Sequence, residues 1–173
     1  MLGAEERFER ARARFEAAQS AAGRAEASLW VDYWQSVIEF RPILQVRQPT
    51  LTFSERLACY GDARAVEMIA YAGGHTASDA VLYLPEERIA FVSDLLFVGL
   101  HPYLGDGHPH QLLAILDELL AMGASVVVPG HGAVGTPADL LLMQDYIRAV
   151  DGLAQDAVES GDPEVCLDAV PVP

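Results

Sequence analysis

The sequence has few of the features that mark secreted, membrane-spanning or disulfide-stabilised proteins. It contains two cysteines among 173 residues, Cys59 and Cys166, and they lie far apart in the chain. Two isolated thiols favour a reducing compartment over a disulfide framework, and they do not indicate a zinc site built on cysteine. No apolar run reaches the roughly eighteen residues of a membrane span, and the N-terminus lacks the apolar centre of a signal peptide. We therefore expect a cytoplasmic protein that has no membrane partner.

Basic residues are also scarce. All eleven are arginine, lysine is absent, and the formal net charge is −14. From Ile89 onward Arg148 is the single basic residue among twelve acids. Such a surface repels phosphate backbones, so we expect no nucleic-acid partner.

The residues that are present suit a globular α/β protein. Hydrophobic residues make up 51% of the chain, and its length allows one domain with a sizeable core. Periodicity and composition divide the sequence into three segments. We predict an N-terminal helical segment over residues 1–46, an α/β segment over residues 47–150 and an acidic, flexible tail over residues 151–173.

Apolar spacing, prolines and glycines predict the elements within these segments. Helices are predicted over residues 4–27, 29–40, 109–123 and 136–150, and strands over residues 50–53, 57–60, 66–71, 81–84, 89–92 and 125–128. Residues 97–108 contain three glycines and no periodicity, so they are predicted to form a loop.

Three short signals each place a metal-type ligand where an apolar run meets a turn. His75 lies in Gly-Gly-His-Thr after the run 68–71, and Asp94 follows the run 89–92 in Val-Ser-Asp-Leu. His131 lies in Pro-Gly-His-Gly after three valines. Strand ends are where α/β sheets gather their functional groups. Two imidazoles and one carboxylate are ligands that suit zinc, iron or manganese, with zinc the expected ion.

The three signals, in this order, resemble the second half of the metallo-β-lactamase superfamily over about residues 50–150. In that family the residues that match His75, Asp94 and His131 bind metal, and the aspartate commonly bridges two ions. The resemblance implies half of an αββα sandwich, in which one mixed β-sheet is covered by helices and preceded here by the N-terminal helical segment. It makes residues 47–150 the C-terminal half-domain of that fold.

One part of the family pattern is absent from this chain. The family's first ligand cluster is His-x-His-x-Asp-His, and no histidine precedes His75. In the family each ion takes further ligands from that cluster, so this chain supplies two ligands for each of two ions. A full binuclear site is therefore not expected from this chain alone, and we expect at most one weakly held metal.

Three other polar residues are candidates for supporting roles. Asp79 follows His75 by four residues and is expected to cap the turn or to support the ligand from outside the coordination shell. His101 and Tyr103 lie in the loop downstream of Asp94 and are expected to line the mouth of a substrate site.

Two functions from different classes remain open. The first is a truncated or partial metal-dependent hydrolase in which metal-bound hydroxide attacks an ester, thioester, lactone or similar bond of a small molecule. The second is a non-catalytic remnant of that fold that acts as a dimerising or interaction module. Half of a sandwich leaves an apolar sheet face without cover, so we expect either a homodimer or a missing N-terminal half.

Overall fold

The computed structural model describes residues 3–45, 47–161, 170, 172 and 173, and the chain divides into two compact units, residues 1–50 and 51–173. The first unit contains two helices, α1 (Ala4–Ala17) and α2 (Ala21–Phe40), and one turn of 3-10 helix at Arg41–Ile43. Ala11 and Ala27, one from each helix, are both buried. The two helices therefore pack through small side chains.

The prediction of one helix over residues 4–27 was wrong at residues 18–20, where α1 ends and α2 begins. Ser20 is the reason for the break, because its Oγ accepts a hydrogen bond from the Gly23 backbone N at 3.0 Å. A serine in this position satisfies one of the amides that every new helix leaves without a partner. The predicted second helix over residues 29–40 ends at Phe40 as expected, but it begins at Ala21 and not at Leu29.

The second unit is built on a five-stranded mixed sheet whose strands follow one another in chain order. The strands are β1 (Arg56–Tyr60), β2 (Ala65–Tyr71), β3 (Asp79–Leu84), β4 (Ile89–Phe97) and β5 (Val126–His131). The first four pair antiparallel, and β5 pairs parallel to β4. The parallel pair is connected through α3 (Pro109–Ala121), and α4 (Pro137–Ser160) follows β5. The predicted α/β half-sandwich is confirmed.

One face of this sheet packs against α3 and α4 to form the core. Buried side chains of β3, β4 and β5 contact buried leucine, isoleucine and methionine side chains of both helices. Gln144 of α4 is also buried, and its Nε2 donates to Asp117 Oδ1 of α3 at 2.8 Å. This bond satisfies a polar group inside the helical layer and links the two helices.

One predicted strand and several predicted boundaries in the second unit were wrong. Residues 50–53 form no strand. Arg56 pairs with Ile69 in antiparallel register, and β2 ends only two residues later, at Tyr71, so residues before 54 have no partner on β2. Strand β4 continues beyond Val92 to Phe97, because its pairing with β5 extends that far. Helix α4 continues past residue 150 to Ser160 and ends at Gly161, which has the left-handed conformation of a helix C-cap.

The remaining predictions concern the tail and the membrane. Residues 162–169, including Cys166, lie outside the described residues, so the predicted flexibility of the tail stays a prediction. Among the helices that the structure describes, none is both long enough and apolar enough to cross a membrane.

Candidate metal centre

The structure brings the three sequence-predicted ligands together at one edge of the sheet. Nε2 of His75 lies 3.6 Å from Asp94 Oδ2, and Nε2 of His131 lies 3.6 Å from Asp94 Oδ1. The carboxylate therefore lies between the two imidazoles and presents a different oxygen to each. His75 is buried, whereas the side chains of Asp94 and His131 are 39% and 56% exposed. The arrangement is accessible from one side.

Asp79 organises the loop that carries His75. Its carboxylate accepts hydrogen bonds from the backbone N of His75 at 2.9 Å, from Thr76 N at 3.0 Å and from Thr76 Oγ1 at 2.7 Å. Gly73 has φ +80°, a conformation that glycine adopts at little cost, and its carbonyl accepts from His108 N at 3.0 Å. The Gly-Gly-His-Thr loop is thus held between Asp79 and the start of α3, and Asp79 acts on the loop backbone.

Asp94 lies in an irregular part of β4. The β4–β5 register shifts on both sides of Ser93, which has φ +51°, a value rare for a residue with a side chain. Such irregularities turn a side chain out of the regular alternation of a strand. Backbone strain next to a functional side chain is common at active sites.

The Pro-Gly-His-Gly turn fits closely against β4. A Cβ on Gly130 would overlap Asp94 Oδ1, and a Cβ on Gly132 would overlap the carbonyl of Val98. Gly132 also has φ +98°, and the carbonyl of His131 accepts from Val98 N at 3.0 Å. Glycine at these two positions lets His131 and Asp94 approach each other.

Phe97 is a site residue that the sequence interpretation missed. Its ring stacks on His131, with centroids 4.8 Å apart and planes 21° apart, and its centroid lies 5.8 Å from that of His75. Phe97 is buried and forms part of the core cluster. It therefore gives both imidazoles a rigid apolar neighbour. The sequence shows that Phe97 lies three residues after Asp94, but its contact with His131 depends on the β4–β5 pairing, which sequence spacing does not show.

The two predicted mouth residues have different surroundings. The Tyr103 ring lies edge-on to His75, with centroids 6.3 Å apart, and 60% of Tyr103 is exposed. His101 instead places Nδ1 3.0 Å from the hydroxyl of Tyr146 on α4. Burial raises the pKa of that Tyr146 hydroxyl. The structure thus brings Tyr103 close to the candidate ligands and ties His101 to α4.

The three candidate ligands are of types that bind divalent metals, but there are too few of them for a complete site. Two imidazole nitrogens and a carboxylate that presents both oxygens are suitable ligands. Yet within the described ranges no group of three or more His, Cys, Asp or Glu is arranged to hold an ion. His75 Nδ1 is buried and has no hydrogen-bond partner, whereas metal-ligating histidines usually donate from their second nitrogen. The three donors suit a metal by their type, but by themselves they do not make a complete site.

Comparisons with known proteins concern the fold and the family of the chain. Residues 8–131 match the family model of the metallo-beta-lactamase superfamily, so the match begins earlier than the motif resemblance did. A metallo-beta-lactamase from Pontibacter korlensis is 25% identical, with a TM-score of 0.54, over 66% of this chain and 54% of that chain. No protein in a search of curated proteins matches.

Two further solved structures share the fold. The DIM-1 metallo-beta-lactamase is 22% identical with a TM-score of 0.53, over 67% of this chain and 54% of that one. VMB-1 is 24% identical with a TM-score of 0.51, over 58% and 47%. The chain thus spans about half the length of the solved structures that it matches.

Proposed function

The chain belongs to the metallo-beta-lactamase superfamily, and from this premise we propose that it carries part of a metal-dependent hydrolase site. Its ligands are His75, Asp94 and His131. The observation that supports the proposal is the placement of both Nε2 atoms at 3.6 Å from opposite oxygens of one carboxylate. These residues are up to 56 positions apart in sequence, so folding has to bring them together.

The ion expected in this site is zinc, with iron or manganese as alternatives that accept the same donors. When bound, a divalent ion supplies polarisation of the scissile bond and activation of water near neutral pH. The expected substrate is a small molecule with an ester, thioester, lactone or similar bond.

The chain's own residues prepare the donors. Asp79 fixes the backbone of the His75 loop, and Phe97 restricts the rings of His75 and His131 through contact. Hydrogen-bonded and packed supports of this kind hold ligands in one geometry and lower the entropy that binding costs. Tyr103 lies beside His75 on the exposed side, where a substrate would enter.

The ligand count limits what this chain can do alone. Structural zinc sites use four protein ligands and catalytic sites about three. If two ions were present, Asp94 would serve both of them. Each ion would then have two ligands from this chain, Asp94 and one imidazole. We therefore expect at most about one weakly held equivalent of metal, in which Asp94 and one or both imidazoles take part. Turnover of generic ester or β-lactam substrates is expected to be near background.

The test is to load the protein with zinc, dialyse it against metal-free buffer and measure the metal that remains, together with a hydrolysis assay. It is applied to the unaltered chain, to His131→Ala and to the control His110→Ala. His110 is an exposed histidine of α3. We expect His131→Ala to weaken zinc retention by about tenfold or more, because a ligand is lost, and His110→Ala to leave it unchanged.

Two results would contradict this account in different ways. Equal zinc retention in the two variants would remove His131 from the site. Retention of about two equivalents by the unaltered chain, with robust turnover that His131→Ala abolishes, would show that the ligand count is wrong. In that case a second chain supplies the missing donors.

A second candidate function is a dimerising or interaction module, and the sheet gives the observation that favours it. Five apolar residues pair in a row across the five strands, on the face opposite α3 and α4: Leu57, Met68, Leu82, Phe91 and Val128. Four of these residues line a surface pocket of about 360 Å³. An apolar face of this kind favours association with another surface.

A further inference from the structure

The helical unit contains a pocket that the metal centre does not use. It lies between α1 and α2, has a volume of about 420 Å³, and is lined by both tryptophans of the chain, Trp30 and Trp34. Its remaining apolar lining is small: Ala11, Gly23 and Ala27. Two large aromatic walls around small residues leave space for a flat ring. The volume lies within the range of about 300–1,000 Å³ that is typical of small-molecule sites.

The charged residues of this pocket are mainly basic. Arg7, Arg10 and Arg14 line it from α1, at positions three and four residues apart that share one helix face, and among the described residues Glu26 is the one acidic residue of the lining. The described lining therefore has a formal charge of +2 (three arginines minus one glutamate) in a chain whose net charge is −14. Such a local reversal of sign attracts an anion.

The arginines are placed to recognise a carboxylate beside an aromatic ring. The Arg7 guanidinium lies 5.1 Å from the ring centroid of Trp34, where a cation and an aromatic face attract each other. Arg10 pairs with Glu6 at 3.4 Å, but both side chains are more than half exposed, so this pair is weak and easily exchanged. A guanidinium presents a planar fork of donors that matches a carboxylate.

We propose that this pocket binds a small aromatic carboxylate. The ring lies against Trp30 and Trp34 over the small residues, and the carboxylate accepts hydrogen bonds from Arg10 and Arg14. Charge complementarity and the two indoles of the lining together define the ligand class, since neither a neutral ring nor a small inorganic anion uses both features.

The two tryptophans make the proposal directly testable in the full chain. Because they are the only two, a ¹⁵N-labelled protein shows two indole N–H signals, and both report on this pocket. Titration with 2-naphthoate is expected to shift both signals and to saturate with a dissociation constant near or below about 1 mM, the affinity expected for a ligand of this size. The neutral analogue 2-naphthamide is expected to bind about tenfold more weakly.

Arg14→Gln and Arg12→Gln form a matched pair of variants. Arg12 belongs to the same helix but pairs with Glu9 at 3.7 Å and Glu16 at 3.5 Å and does not line the pocket. We expect Arg14→Gln to weaken 2-naphthoate binding by about fivefold or more and to leave 2-naphthamide unaffected. Arg12→Gln is expected to leave both affinities unchanged.

A salt titration of the unaltered chain decides the question if Arg14→Gln loses helicity. Raising the salt concentration screens the arginines, so it should weaken 2-naphthoate but not 2-naphthamide. The proposal is overturned if the indole signals do not shift, if the amide binds as tightly as the acid, or if the Arg14 and Arg12 variants weaken the acid equally.

Discussion

At the scale of single residues, the candidate centre depends on positions where a side chain has no room. Gly130 lies against the carboxylate of Asp94, Gly132 against the carbonyl of Val98, and Gly107 against the carbonyl of Gly74. Each of these contacts is with the backbone or with a candidate ligand, so a Cβ could be accommodated only by moving the site. The glycines therefore set the spacing of the candidate ligands as well as the shape of the turns.

The first prediction concerns Gly130→Ala. The added methyl group would displace Asp94, so we expect a loss of about 1–3 kcal/mol in the free energy of unfolding, typical of overpacking. Zinc retention should fall as well. Gly152→Ala is the control, because Gly152 lies within α4 with nothing near its Cβ position. It should stabilise the protein by about 0.5–1 kcal/mol. Urea denaturation measures both, and a neutral Gly130→Ala would show that Asp94 is not confined.

The second prediction concerns Tyr71 and alkaline pH. Burial, and after it the nearby Glu118 carboxylate, raises the pKa of Tyr71 above its ordinary value of 10.0, although Arg56 acts in the opposite direction. The unfolded chain therefore loses this proton at a lower pH than the folded chain does. The stability contribution is present below the unfolded pKa and is lost as the pH rises through the folded pKa.

Tyr71→Phe should therefore reduce the loss of unfolding free energy above about pH 10. The control is Tyr60→Phe, because Tyr60 is 84% exposed. Urea denaturation at a series of alkaline pH values measures the slope for each protein. Equal slopes for the unaltered chain and Tyr71→Phe would show that Tyr71 does not cause the loss.

The residues that hold the site were predictable where a short signal marked them. His75, Asp94 and His131 were identified because each follows an apolar run, and the structure brings them together. Phe97 was not identified, because its role depends on the β4–β5 register, which sequence spacing does not show. His101 was placed at the mouth with Tyr103, but its bond to α4 depends on packing between distant segments.

At the scale of elements, local signals predicted the type of each helix better than its ends. Helix α4 has glycines at positions 152 and 161, and both are plausible stop signals. The helix passes the first and ends at the second, where Gly161 takes φ +70°. A glycine inside a helix costs only about 1 kcal/mol, which tertiary packing easily offsets. Boundaries of this kind are therefore decided by the whole fold.

The third prediction concerns the start of α4. Asp139 Oδ2 accepts from Thr136 N at 2.7 Å and from Thr136 Oγ1 at 3.0 Å, so it closes the first turn of the helix. Asp139→Ala should lower the free energy of unfolding by about 1 kcal/mol.

The control in the same helix is Asp145→Ala. Asp145 is 76% exposed on its side chain and pairs with Arg148 at 3.2 Å, an exposed pair that contributes little. Its removal should cost less than about 0.5 kcal/mol. Chemical denaturation compares the two variants, and an Asp139→Ala protein as stable as Asp145→Ala would show that the capping bonds do not stabilise α4.

At the scale of the whole molecule, the two faces of the sheet differ in what covers them. Buried residues of one face pack against α3 and α4. The opposite face carries the row that includes Leu82 and Phe91, and Phe91 is 42% exposed. A large apolar ring on an interior strand of a sheet usually finds a partner surface. Side chains alternate between the two faces of a strand, so the apolar row can be predicted once the strands are known. The surface that covers this row cannot be predicted from local sequence.

The last prediction follows from the free energy that covering this face would release. Burying roughly 400 Å² of apolar surface at about 25 cal/mol per Å² stabilises a complex by on the order of 10 kcal/mol before the costs of association. We therefore expect the full chain to self-associate through this face at high concentration.

Phe91→Glu should shift the equilibrium towards the monomer, because a buried carboxylate without a partner is costly. Val158→Glu is the control, because Val158 is 83% exposed on α4. Light scattering over a concentration series measures both, and a monomeric unaltered chain, or equal effects of the two substitutions, would contradict association through the sheet.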